Sequence, residues 1–156
     1  MADHDALAAA VIAAERDADA EGWDGERRLY ALTDRDTYLD TAYPLDELTD
    51  LPPGTLLAIP LTPLPGGDLR TELTKVTWPD NVHGCVLIAE MVVRTALVRR
   101  PRGMHVRWRL AHLAIGVLRD GHHLSLLRLR GTDEWRSGAD DLVPSLLATF
   151  GTDGHP

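Results

Sequence analysis

Two apolar runs, Trp108–Leu118 and Leu124–Leu129, flank Arg119-Asp120-Gly121-His122, and this arrangement constrains the chain more than any other. Asp-Gly between apolar runs is a strong hairpin signal, because a type I′ turn needs φ > 0 at both central residues. With Asp120 and Gly121 as a two-residue loop, Arg119 faces His122, Val117 faces Leu124 and Ile115 faces Leu126. The period of two then sorts the side chains onto two faces. Leu113, Ile115, Val117, Leu124 and Leu126 form a bulky core face, with Arg107, Arg109, Arg119, Arg128 and Arg130 toward its ends. Trp108, Leu110, His112, Ala114, Gly116 and Leu118 lie opposite His123, Ser125, Leu127 and Leu129 on a smaller, mixed face. That second face is expected to be thinly covered or open to a partner.

A chain of 156 residues, 44% hydrophobic and 26% charged, suits one globular domain over 1–156 with flexible ends at 1–4 and 152–156. No apolar run reaches the roughly 20 residues that span a bilayer. The start, Met1-Ala2-Asp3-His4-Asp5, has no signal-peptide character, and the single Cys85 has no disulfide partner, so a cytoplasmic location is expected. The net charge of −8 disfavours sequence-independent nucleic-acid or membrane binding. It is unevenly placed: residues 1–93 hold 18 acids against 6 bases, and 94–156 hold 6 against 10. An anion patch on Arg94, Arg99, Arg100, Arg102, Arg107 and Arg109 is the functional reading of that asymmetry. Acidic helices lying near an Arg-bearing sheet is the structural one.

Along the chain, residues 5–21 predict an amphipathic helix capped by Asp3 or Asp5. It buries Leu7, Val11, Ala14 and Ala18 and exposes Glu15, Asp17, Asp19 and Glu21. A turn around Trp23, a strand at 28–32, helical turns at 35–42 and 44–50, and a Pro52-Pro53-Gly54 turn follow. Leu56–Leu61 reads as a strand that Pro60 confines to an edge. Asp68 caps a helix carrying Leu69, Leu73 and Val76, which ends before Pro79. His83–Arg94, apolar on both faces, reads as an internal strand. Residues 95–105 read as a basic loop and 131–139 as a polar one. Asp140 or Asp141 caps a last helix with Val143, Leu146, Leu147 and Phe150, which Gly151 ends. The sum is an α+β domain of order α-β-β-α-β-β-β-α, with a largely antiparallel sheet of about five strands packed by helices.

Catalytic chemistry has little support in this pattern. The seven His show no H-x-x-x-H spacing, and His122 and His123 point to opposite faces of a strand. His123 and Ser125 are too far apart along a strand to hydrogen-bond, and there is no G-x-S-x-G elbow. Cys85, on the face of His83, reads as a packing residue. Gly66-Gly67 lacks the Lys and Ser or Thr of a phosphate loop. No catalytic residue, metal or cofactor is assigned. Glu90 is the pocket candidate: flanked by Ile88 and Val92, it needs a cross-strand Arg partner, with Arg107 or Arg109 in reach, or it lines a site.

Glu21-Gly22-Trp23-Asp24 before Arg28-Leu29-Tyr30-Ala31-Leu32, Trp78-Pro79 before Gly84-Cys85 and Glu90, Gly116–Gly121, and Asp141-Leu142-Val143-Pro144 run in this order through most of the chain. In them the chain resembles a family of small, uncharacterised actinobacterial proteins. It departs from that family at 94–109, where the family has a longer, more acidic connection. The resemblance implies an actinobacterial cytoplasmic protein and no particular activity. More loosely, the layout resembles the secretion-chaperone-like fold, which is an analogy of fold only.

The function expected from all this is non-enzymatic. It is a protein-binding, chaperone-like or adaptor module using Trp108, Leu110, His112, Leu127 and Leu129, or the last helix, with homodimerisation through the same face. The alternative is an anion-binding protein or enzyme with a pocket near Glu90.

Overall fold

The computed structural model describes residues 2–20, 27–34, 54–61, 63–64 and 66–151. The expected turn at Trp23 and the helical turns at 35–42 and 44–50 lie outside them. Helix α1 (Ala2–Ala20) leads into strands β1 (Arg28–Asp34) and β2 (Leu56–Pro60). Then come a short helix α2 (Leu69–Leu73), the long strands β3 (Gly84–Arg100) and β4 (Gly103–Leu118), β5 (His123–Leu129), β6 (Trp135–Ser137) and helix α3 (Val143–Ala148). All six strands join one sheet in the order β2-β1-β3-β4-β5-β6, and every pairing is antiparallel. The α+β class and the element order are as expected, with β6 added inside the stretch read as a polar loop.

Helices cover both faces. On one, Leu7, Val11, Ala14 and Ala18 of α1 pack on Tyr30, Leu32, Val86, Ile88, Ala114 and Leu118. On the other, α3 brings Val143 and Leu146 onto Leu29, Cys85, Leu87, Leu113, Ile115 and Val117, joined by Leu73 of α2. Trp78 locks this second layer: its ring stacks on Phe150 at 5.8 Å, and its indole N–H donates to Thr149 Oγ1 at 2.8 Å. β3 is internal, and β2, ending at Pro60, is an edge. Asp68 caps α2 by accepting from Thr71 N at 3.0 Å. Neither Asp140 nor Asp141 caps α3; its N-cap is Leu142, and the Asp140 carbonyl accepts from Val143 N–H instead.

The β4–β5 register differs from the expected one by a single residue. Val117 pairs with His123, Leu113 with Leu127 and His112 with Arg128. The cause is local. Gly121 has φ of 102°, and among the described residues no non-glycine has positive φ, so Asp120 cannot occupy a type I′ turn. Gly121 N–H instead donates to Leu118 O, and Leu118 N–H to His122 O. That is a three-residue loop, a type I turn followed by a glycine bulge. One extra residue turns all of β5 over. Leu124, Leu126 and Arg128 therefore point to α1, and Ser125, Leu127 and Leu129 to the opposite side. The mixed face is not thinly covered near Gly116, since a Cβ there would strike Val11 and Leu7 of α1.

β3 and β4 outrun their neighbours. β1 pairs with β3 only up to Ile88, and β5 with β4 only from Ala111. Beyond those points β3 and β4 pair with each other as a ribbon up to Arg100 and Gly103, with a bulge between Arg94 and Ala96. Residues 95–105 are thus mostly strand, closed by a turn at Pro101-Arg102. Period-two pairing governs them despite their charge.

Candidate functional site

The inverted register assembles a buried charge cluster under α1. Glu15 lies on the apolar stripe of the helix, between Val11 and Ala18, and is fully buried, contrary to its expected place on the acidic exposed side. Arg128 reaches it from β5: Nε donates to Oε1 at 2.9 Å and Nη2 to Oε2 at 2.7 Å. His112, directly opposite Arg128 on β4, brings Nδ1 to 2.6 Å from Oε2. Arg128 also meets Asp19 at 3.1 Å, donates to Thr132 O at 2.7 Å, and lies 5.9 Å from the centre of the Trp135 ring. Burial alone would push the Glu15 carboxyl up. The hydrogen bonds and charges of His112 and Arg128 outweigh it and hold the group below its ordinary value. The bond to Glu15 raises Arg128 further, against the effect of burial.

Ligand-type atoms of Glu15, Asp19 and His112 all lie within 4.8 Å of one another, which is metal-site geometry. The Arg128 guanidinium, however, sits against both carboxylates and supplies the countercharge from the chain itself. The cluster ties α1 to β4 and β5, and we read it as a fastening.

Glu90 is placed otherwise than expected. Its cross-strand partner is His112, whereas Arg109 faces Val93 and Arg107 faces Ala96. The Arg109 guanidinium donates instead to Arg130 O at 2.8 Å. Glu90 Oε2 is buried without a hydrogen-bond partner among the described residues. An open cavity of about 300 Å³ lies at the far end of the sheet, lined by Asp34, His83, Leu118, Arg119 and Asp120. His83 Nε2 is 3.3 Å from Asp34 there, and Arg119 is drawn away to the carbonyls of Pro79 and Val82. A second, of about 90 Å³, opens beside Arg128. Glu90 lines neither. Cys85 is fully buried, and burial pushes its thiol up to about 12, as an inert packing residue requires.

The five proposed partner-binding residues do not share a face. Trp108, Leu110 and His112 look to the α1 side, Leu127 and Leu129 to the other, and His112 and Leu129 are buried. Leu61, just past β2, and Met91, on the α3 side of the sheet, are exposed singly, and the larger group of exposed apolar side chains lies farther out, on the ribbon. Val92 is 55% exposed, Met104 57%, Val106 39% and Trp108 59%. Leu110, opposite Val92, adds a half-buried side chain. All lie on the sheet face that α1 covers nearer the core, so the stripe begins where the helix gives out. Arg94 and Arg99 share this face, opposite Trp108 and Met104, whereas Arg107 and Arg109 lie on the other. Arg102 sits in the turn, and Arg100 pairs with Gly103 at the tip. The arginines therefore divide between the two sides of the ribbon.

Sequence reasoning missed Glu15 and Arg128. The available signal was the spacing 7-11-15-18, which puts Glu15 on the buried stripe and calls for a cation opposite it. No curated protein and no solved structure matches the chain. The profile of a family described as PPA1309-like protein matches residues 7–152. With nearly its whole length covered, this chain belongs to the PPA1309-like protein family.

Proposed function

We propose that the protein is a non-enzymatic protein-binding module and that its docking element is the β3–β4 ribbon. The supporting observation is the run of large apolar side chains at Val92, Met104, Val106 and Trp108, open to solvent on one face. Contiguous exposed apolar surface rimmed by charge is the usual mark of an interaction site. The ribbon adds outer backbone edges that no described strand covers beyond Ile88 of β3 and before Ala111 of β4. Open edges of this kind lend themselves to pairing with another chain. An adaptor or chaperone-like role in an actinobacterial cytoplasm belongs to the same proposal, with the single inert Cys85 consistent with a reducing compartment.

A photo-crosslinking amino acid at position 106, in cells of the source organism, tests this. One protein should be captured, lost on Trp108→Asp and absent with the crosslinker at the exposed Ala13 on α1. A homodimer would crosslink the chain to itself. Capture unaffected by Trp108→Asp, or equal from both positions, refutes the ribbon as the docking element.

A further inference from the structure

Resting on that reading, we infer that the ribbon's apolar stripe receives an acidic amphipathic helix of a partner protein. The sheet supplies its own precedent. Its α1-facing side already takes one such helix: Ala114, Leu118, Leu124 and Leu126 receive the apolar positions of α1, and Arg128 receives Glu15. The same face continues outward past α1 with the same two ingredients. Val92, Val106 and Trp108 offer the apolar floor, and Arg94 and Arg99 stand on that floor as cations.

A helix placing apolar residues at i, i+4, i+7 and i+11, with a carboxylate at i+8, would reproduce the α1 pattern of Leu7, Val11, Ala14, Ala18 and Glu15. Charge excludes two other occupants. A second ribbon laid face to face would set Arg94 and Arg99 against their own copies. A basic helix would meet the same repulsion. A strand added to a ribbon edge would gain backbone hydrogen bonds but would leave the stripe's face uncovered.

The test uses the full chain and three synthetic helical peptides of equal length. The first carries Leu at i, i+4, i+7 and i+11 with Glu at i+8 and on its flanks. The second has Lys for each Glu, and the third is a scramble of the first. The change in Trp108 fluorescence on titration, with Trp108→Phe as blank, reports occupancy. The acidic peptide should bind at least tenfold more tightly than the basic one and more tightly than the scramble. Trp108→Asp should abolish the binding. Arg94→Glu with Arg99→Glu should reverse the preference between acidic and basic peptides, a change that loss of fold would not produce. Equal binding of acidic and basic peptides, or binding indifferent to Trp108, overturns the inference. So does light scattering that shows a dimer dissolved by Trp108→Asp, because a second copy is then the occupant. So does salt-dependent binding of single-stranded DNA lost in the Arg94/Arg99 variant. If no peptide binds while the position-106 crosslink still captures a protein, the helical partner is refuted and the docking ribbon stands. If both fail, the ribbon reading falls as well.

Discussion

Removing Arg128 should be the most damaging single change in the α1 layer. Glu15 is wholly shielded from water, and Arg128 satisfies both of its oxygens. Arg128→Met would leave the carboxylate in an apolar layer with His112 alone. Breaking a buried pair from one side costs about 3–5 kcal/mol, since the remaining charge keeps its desolvation penalty and loses its compensation. Glu15→Leu should cost less, about 2–3 kcal/mol, because the stranded guanidinium retains Asp19 and the Thr132 carbonyl. With both removed no buried charge is stranded, and the groups that lose a partner are His112 and, in more open positions, Asp19 and the Thr132 carbonyl. The double variant should therefore lie within about 1–2 kcal/mol of the parent. Urea unfolding at pH 7, followed by tryptophan fluorescence, gives the coupling energy from the four proteins, expected to be about 3 kcal/mol or more. Losses that simply add would show that Glu15 and Arg128 do not act as a pair and would refute the reasoning.

Acid gives an independent reading of the same pair. Glu15 is held below its ordinary 4.5, so its contribution is complete above that pH and disappears as pH falls through the lower folded-state value. The gap between parent and Arg128→Met should narrow steadily as pH falls from neutral into the acid range, as measured by urea midpoints. Gly116→Ala should destabilise by about 1–3 kcal/mol in the same assay, because the added methyl meets Val11 and Leu7 and must displace α1. Glu90→Val should raise the midpoint by the equivalent of about 1–2 kcal/mol, since it removes a buried oxygen that has no partner among the described residues; a loss of stability would mean the carboxylate is satisfied in solution. Cys85 should resist a thiol reagent at pH 8 in the folded protein and react only as fast as the chain opens, in view of its burial and a thiol pushed up to about 12.

Local rules were readable wherever one residue decides a local outcome. Asp68 caps α2, Pro60 ends an edge strand and Gly151 follows α3 with φ of 85°. The two-faced apolarity of His83–Arg94 correctly marked an internal strand. The register was not readable, because Asp-Gly serves both a two-residue and a three-residue loop and the two differ in the sign of φ at Asp120. The charge cluster was hidden by that same uncertainty: Arg128 faces Glu15 in one register and the α3 layer in the other. The ribbon was concealed by composition. Its arginines suggested a solvated loop, but strands pairing only with each other tolerate charge on both sides, and the alternation of Met104, Val106 and Trp108 was the better guide.

The three-residue turn at Arg119-Asp120-Gly121 also limits how relatives of this chain can vary. Deleting or adding one residue there would exchange the two sides of β5, sending Arg128 to the α3 side of the sheet and bringing Leu127 and Leu129 to the α1 side. Glu15 would be left with His112 alone and the α3 layer would gain an unpaired cation, although no residue of either layer had been touched. A change of two residues would leave every side chain on its present side. Length variation at this turn should accordingly come in even steps, which makes an exposed surface loop as restrictive as the core it feeds.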